Sequence, residues 1–325
     1  MRDATKDPAS ALAALRRVRR LLITSHASPD GDAIGSELAL AEVAAQLGVE
    51  ATIVNRDPHP ANLDFLPGIE RIAVSDRLPP VEEVQLVAVL ECPGLDRPGF
   101  EGLERWPILN IDHHVSNEQY GAVNYLDEEA PAVGEMVLRL AEAAGVALTP
   151  TMATNLYVAL VTDTGDFRYS NATPRAFQAA AQLVAAGAVP HRIAEALWEQ
   201  VPARLVRLQA LVLATLQLEA GGRLATITCD AGMLAQAGAF PQDTENLVNV
   251  PRAIAGVRVA AFFKAFSPGS VKVSLRSRGD IDVQAVARAF GGGGHPNAAG
   301  CTVQGTLGEV QARLRQALLP LVEVS

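Results

Sequence analysis

The strongest constraint on the fold of this 325-residue chain is an alternation in its first part. Short β-rich apolar runs are followed there by Ala- and Leu-rich stretches at helical spacing. "RLLITS" (20–25), "ATIV" (51–54), "QLVAVL" (85–90) and "PILNID" (107–112) have the length and apolar content of buried strands. Residues 33–47, 132–144, 151–161 and 174–186 read as helices, with Gly48, Gly145 and Gly187 where C-terminal caps belong. Strands alternating with helices argue for an α/β fold built on a parallel sheet with flanking crossover helices.

The texture changes twice further on. From 190 to 218 the pattern stays helical, with Pro202 as a break, and reads as a connector. Beyond it lie hairpin-like strands at 223–229, 257–266 and 270–277, the last two joined by the turn "SPG". A helix at 282–290, the run "GGGGHPNAAG" and an amphipathic helix at 307–319 complete a smaller α+β domain. The expected division is therefore a first domain over 1–189, a helical connector over 190–218 and a second domain over 219–325. A chain of this length exceeds what one core usually organises.

No apolar stretch reaches the roughly 18 residues that span a bilayer. "LLIT" after "RRVRR" is too short for a signal peptide. A cytoplasmic protein with no membrane partner is the expectation. Cys92, Cys229 and Cys301 form no CxxC pair and read as buried free thiols. The net charge of −9 argues against coating long nucleic acid by counterion release. Its distribution is uneven: residues 1–200 hold 15 basic and 28 acidic side chains, whereas 251–300 hold 7 and 2. An acidic part able to hold cations accompanies a basic segment able to hold an anion.

Acidic and imidazole side chains gather at strand ends. His26, Asp30 and Asp32 follow the first strand, Glu91 follows "QLVAVL", Asp112, His113 and His114 follow "PILNI", and Asp163 ends a helical run. Ligands of open α/β sheets sit at the carboxyl ends of strands. Carboxylates collected without matching Lys or Arg repel one another unless cations neutralise them. A sulfur-free Asp/Glu/His set suits Mn(II) or a similar divalent ion, and about six ligands with a bridging carboxylate suit two ions.

"GGGGHPNAAG" is hard to explain as packing, since consecutive glycines weaken a fold entropically. A loop whose N–H groups approach a phosphate would explain it, with His295 as an added donor. On the preceding strand, "SLRSRG", alternation places Ser274, Arg276 and Arg278 on one face, and Arg276 suits bidentate phosphate contact. Arg278, Arg252 and Lys264 read as solvated charges.

"SHASPDGDAIGS", "NIDHHVSN", "TDTGDFRYS" and "GGGGHPNAAG" resemble, in order and spacing, the signature segments of the DHH phosphoesterase family with its DHH-associated C-terminal domain, which includes the RecJ exonucleases. The stand-alone two-domain size is similar to the NrnA-type subgroup, which cleaves nanoRNA and dephosphorylates pAp. The resemblance implies that His26 and Asp30 hold one metal, that Asp32, His113 and Asp163 hold the other, and that the acidic residue after "QLVAVL" bridges them. It implies that His114 contacts the scissile phosphate, that Asp112 orients a neighbouring imidazole, and that an Arg with the Gly-rich His motif holds the far end of the substrate. Here those residues are Arg276, Ser274, Gly292, Gly293, Gly294, His295 and Asn297.

The family has aspartate at the bridging position, and this chain has Glu91, one methylene longer. The resulting expectation is a two-domain hydrolase with its active site in the cleft between the domains. Two Mn(II) ions per chain, with Mg(II) or Co(II) as substitutes, would carry a bridging hydroxide that attacks phosphorus. The substrates would be short single-stranded RNA or DNA and pAp, and the protein a homodimer. The competing readings are a RecJ-like exonuclease, a phosphodiesterase of c-di-AMP or pApA, and a non-catalytic nucleotide sensor.

Overall fold

A computed structural model describes residues 4–323. The chain divides between Gln200 and Val201 into two compact units, each with its own sheet.

The first unit runs β1 (Ala4–Thr5), α1 (Ala9–Arg16), β2 (Arg20–Thr24), α2 (Gly31–Gln46), β3 (Glu50–Asn55), β4 (Ile72–Val74), β5 (Leu86–Leu90), β6 (Ile108–Asp112), β7 (Val123–Leu126), α3 (Val133–Ala144), α4 (Pro150–Asp163), α5 (Pro174–Ala185) and α6 (Pro190–Trp198). The seven strands lie in the order β1-β7-β6-β5-β2-β3-β4 with every pairing parallel. The four strands read from sequence occur within a residue or two of their expected bounds, and the short β1, β4 and β7 extend the sheet at its edges. Gly48 and Gly145 adopt the left-handed conformation that a C-terminal cap requires.

Buried strands expose both faces to packing, and their side chains alternate between two cores. Leu21 and Ile23 of β2 and Leu86, Ala88 and Leu90 of β5 pack with the helices. Leu22, Val87 and Val89 point the other way, against Cys92, Phe100, Leu103 and Trp106. The helices therefore cover one face, and the segment between β5 and β6 covers the other. Close approach of α2 to α4 depends on small residues: a Cβ on Gly35 would stand 2.3 Å from the Asn155 carbonyl oxygen.

The second unit runs α7 (Ala203–Leu213), β8 (Gln217–Glu219), β9 (Leu224–Asp230), α8 (Ala231–Ala237), α9 (Asn249–Arg252), β10 (Val259–Ser267), β11 (Ser270–Ser277), α10 (Val283–Ala289), β12 (Gly293–His295), β13 (Ala298–Gln304) and α11 (Leu307–Glu323). Its sheet has the order β12-β13-β11-β10-β9-β8, with only β9 and β10 parallel. Val310, Leu314, Leu318 and Val322 recur every fourth residue along α11 and close one face. Leu208 and Val212 of α7 and Leu234 of α8 cover Ile227, Cys229, Ala260 and Phe262 on the other.

Residues 190–218, expected as one connector, are shared out. Ile193 and Leu197 of α6 join the first core, and Leu208 and Val212 of α7 join the second. The three cysteines are free and buried, as read from sequence. No helix among the described residues is long and apolar enough to cross a membrane.

The α2–α4 contact gives a stability test. Gly35→Ala is expected to lower unfolding stability by about 1–3 kcal/mol through overpacking, measured by urea denaturation, whereas Gly48→Asn, at a left-handed cap with nothing within 4 Å of an added Cβ, should leave it nearly unchanged.

Candidate metal centre

The strand order explains why one rim of the first sheet gathers the chemistry. The chain moves outward from β2 to β3 and β4, then returns to β2's other side with β5, β6 and β7. The order reverses between β2 and β5, and such a switch point opens a crevice at the carboxyl ends of the strands. His26 follows β2, Glu91 follows β5, and His113 and His114 follow β6, so three adjacent strands deliver them side by side.

Each member is held by local structure. Asp30 is the N-cap of α2, and its Oδ1 accepts hydrogen bonds from the N–H groups of Asp32 and Ala33 at 3.0 and 3.1 Å. Asp32, fully buried, reaches across to the start of α3. Its Oδ2 accepts from the Val133 N–H at 2.7 Å, and its Oδ1 accepts from the Gly134 N–H at 2.9 Å and from the Ser36 hydroxyl at 3.0 Å. The α3 N-cap, Ala132, offers no side-chain cap, and Asp32 satisfies the free N–H groups instead.

The imidazoles are aimed by their Nδ1 atoms. His26 Nδ1 lies 2.9 Å from the Ala27 carbonyl oxygen and His113 Nδ1 lies 3.0 Å from that of Ala130. Their Nε2 atoms face carboxylates, His26 at 3.5 Å from Glu91 Oε2 and His113 at 3.7 Å from Asp163 Oδ2. A ring nitrogen fixed by a carbonyl, with the other left free, is the arrangement of a metal-ligating histidine. His114 differs: its Nδ1 is 2.7 Å from Asp112 Oδ1, and Asp112 Oδ2 accepts from the Asn117 amide at 2.6 Å. Asp112 therefore orients His114, and its hydrogen bond raises the pKa of that imidazole.

Two groups of side chains bring potential ligand atoms within 4.8 Å of one another: Asp32, Glu91, His113 and Asp163 in one, and His26, Asp30 and Glu91 in the other. Glu91 belongs to both. It is 5% exposed, and its Oε2 is buried without a hydrogen-bond partner. Its φ of 55° is left-handed, which a side chain this long seldom adopts. Burial pushes the Glu91 and Asp163 carboxyls up, and burial together with the Asp163 charge pushes Asp32 up to about 7. Among the described residues no Lys or Arg forms an ion pair with Asp30, Asp32, Glu91 or Asp163. Buried oxygens without cationic partners, beside two free imidazole nitrogens, fit hard divalent metal ions.

Sequence reasoning missed two supporting groups. Asn117 lies in the quoted "NIDHHVSN", yet only the fold shows its amide on Asp112. Glu37, buried in α2, accepts from the Asn55 amide at 2.8 Å, and Asn55 Oδ1 in turn receives the Ser25 N–H beside His26 at 3.4 Å. Burial pushes the Glu37 carboxyl up to about 8. A signal existed: Glu37 interrupts an otherwise apolar helix face.

In the second unit, "GGGGHPNAAG" is a β-hairpin and not the expected loop. Gly293–His295 form the edge strand β12, paired with β13. Gly292 and Gly294 are required by close backbone contact, since an added Cβ would lie 2.1 Å from the Gly300 oxygen or 2.5 Å from the Ala298 oxygen. Gly293 has open space and no left-handed φ. The amide nitrogen of Asn297, expected to bind substrate, donates to Ser277 Oγ and to the carbonyls of Gly279 and Ile281, so it holds the hairpin in place. Register puts His295, Ala298 and Arg276 in one cross-strand row, and Gly293, Gly300 and Ser274 in the next. Lys264, read as solvated, is only 8% exposed.

The metal reading predicts the sign of a pH effect. Carboxyls whose folded pKa lies above the unfolded value favour the folded state at low pH and lose that contribution as pH rises through the folded pKa. The Tm of chelator-treated protein should fall as pH rises from about 4 through about 7, the span set by Asp32, and added Mn(II) should raise Tm increasingly over that interval. Glu91→Gln should leave the metal-free Tm unchanged or higher while shrinking the Mn(II)-induced rise. A pH-independent metal-free Tm would contradict this picture.

Comparison with known proteins agrees with this geometry. Residues 20–160 match the model of the DHH family N-terminal domain and residues 222–321 match the DHHA1 domain. The chain is 36% identical over 286 residues to the bifunctional oligoribonuclease and PAP phosphatase NrnA of Thermus thermophilus, covering 88% of this chain and 84% of that protein. It is 26% identical over 290 residues to the protein of the same name from Bacillus subtilis, covering 87% and 89%. An exopolyphosphatase-related protein from Bacteroides fragilis shares the fold at a TM-score of 0.83 and 24% identity, covering 97% of each chain. This chain belongs to the DHH family of metal-dependent phosphoesterases, with a DHHA1 domain as its C-terminal part.

Proposed function

We propose that this protein hydrolyses short oligonucleotides to mononucleotides and dephosphorylates pAp. The observation that carries the reading is Glu91, one buried carboxylate common to two adjacent ligand groups, which is the disposition a two-ion phosphoesterase needs. His26, Asp30 and Glu91 would hold one ion, and Asp32, His113, Asp163 and Glu91 the other. The all-oxygen-and-imidazole set favours Mn(II), with Mg(II) or Co(II) as substitutes. Ions held there would supply an acidified water and neutralise charge on the phosphoryl oxygens.

The chain's own residues contribute the rest. His114, with Nδ1 fixed by Asp112, directs its Nε2–H outward, and its raised pKa favours the protonated form that donates to a phosphate oxygen. Asp112 and Asn117 are positioning residues that hold this imidazole in one orientation. Arg276, Ser274, His295 and the backbone of Gly293 form a second phosphate-binding face, with Gly292, Gly294 and Asn297 shaping it. The names of the relatives from T. thermophilus and B. subtilis support oligoribonucleotides and pAp as the substrates. The negative net charge of the whole and the local basic segment support a short anion over a long polymer.

The test is hydrolysis by purified protein with Mn(II), offering an RNA dinucleotide, a longer single strand, pAp and c-di-AMP in parallel. Loss of dinucleotide and pAp is expected, removed by chelator and restored by Mn(II). His114→Ala should reduce kcat by about 10²–10⁴-fold. Glu91→Asp should stay active, because the shorter carboxylate suits the left-handed backbone better. Preferential loss of the long strand or of c-di-AMP would overturn the assignment, and tight nucleotide binding without turnover would make the protein a sensor.

A further inference from the structure

The basic face of the second unit extends beyond the residues assigned above. On β11, Lys272, Ser274 and Arg276 alternate with the buried Val271, Val273, Leu275 and Ser277, so the three share the face that α11 does not cover. The cross-strand partner of Lys272 on β10 is Lys264, and its partner on β13 is Thr302. The face thus has three successive rows. His295, Ala298 and Arg276 form the first, Gly293, Gly300 and Ser274 the second, and Thr302, Lys272 and Lys264 the third.

The third row is unfavourable as it stands. Like charges directly opposite one another on paired strands destabilise a sheet. Lys264 is 8% exposed, and among the described residues no carboxylate lies within ion-pair distance of it. Its ammonium stands 5.3 Å from the centre of the Phe262 ring, a partial compensation that carries no negative charge. Burial, then Lys272 and Arg276, depress the pKa of Lys264, against the opposing effects of Glu245 and Cys229. Arg252 likewise acts on Arg276. A buried lysine facing a second lysine, beside an arginine, lacks an anion.

We infer that Lys264 and Lys272 bind an additional phosphate of an oligonucleotide, two steps along the chain from the phosphate at Arg276 and one beyond Ser274, and so set the preference for substrates longer than a trinucleotide. Two residues of strand separate Lys272 from Ser274 and a further two separate Ser274 from Arg276, each step about 6.8 Å. An extended sugar–phosphate backbone advances by a comparable distance per nucleotide. The part of this face on β11 and β13, with Lys272, Ser274, Arg276 and Thr302, has no aromatic side chain, while the β9 and β10 part is packed under α7 and α8, so the added contact reads phosphate rather than base. This step rests on the oligonucleotide reading above.

The experiment compares wild type, Lys264→Met, Lys272→Gln and Lys264→Arg with Mn(II) on pAp and on RNA of two, three and four nucleotides. Expected is a KM for the tetranucleotide about 10-fold higher in the first two variants with the trinucleotide little changed, consistent with loss of a charge-assisted phosphate contact, and a salt slope for the tetranucleotide shallower by roughly 0.7 per lysine. The pAp and dinucleotide values should stay within about twofold, Lys264→Arg should retain the wild-type length profile, and Lys264→Met should melt no lower than wild type because a like-charge contact has been relieved. Equal losses on all lengths, or none on any, would overturn the lysine step while leaving the substrate reading intact. A wild type that turns over no oligonucleotide of any length would instead refute the substrate reading and this step with it.

Discussion

Four carboxylates, two of them buried, converge at the end of one parallel sheet, and the first unit is organised around keeping them there. Asp30 caps α2, Asp32 caps α3 from outside that helix, Glu91 leaves β5 through a left-handed residue, and Asp163 ends α4. Asp30 and Asp32 draw on helix N-termini, whereas Asp163 stands at the negative end of α4 and Glu91 keeps a buried oxygen without a partner, so the negative charge is held without lysine or arginine and only partly compensated. Positive charge is left for metal ions to supply. Two histidines complete the rim with one nitrogen anchored and one free.

The second unit shows the converse imbalance. Lys264, Lys272 and Arg276 share one face of a sheet, Arg252 of α9 acts on Arg276, and a single carboxylate, Glu245, acts on Lys264. A protein with surplus buried negative charge in one unit and surplus positive charge in the other is at its electrostatic best when it holds cations in the first and a polyanion in the second.

Glu91 illustrates how a departure from the family's aspartate is accommodated locally. The carboxylate of this longer side chain leaves a left-handed backbone and belongs to both ligand groups. Nearby, Glu37 and Asn55 tie the end of β2 to α2 and fix the approach of His26. The site depends on these buried polar contacts as much as on the ligands, because a shift of a strand end by a fraction of an ångström would separate the two groups.

The sequence by itself determined the longer strands and helices, the parallel character of the first sheet and the identity of the acidic and imidazole cluster, because hydrophobic period and strand-end polarity are local properties. The motif segments also marked the basic Gly-rich region. What only the tertiary structure decided was strand order, which seats β2 beside β5 across an intervening 60 or so residues of chain, and with it the membership of Glu91 in both groups. It also decided that "GGGGHPNAAG" is an edge hairpin, that Asn297 serves the fold, that Asn117 and Glu37 support the rim, and that Lys264 is buried opposite Lys272. These are pairings between residues distant in sequence, and their register is set by which strands find each other, which no local pattern records.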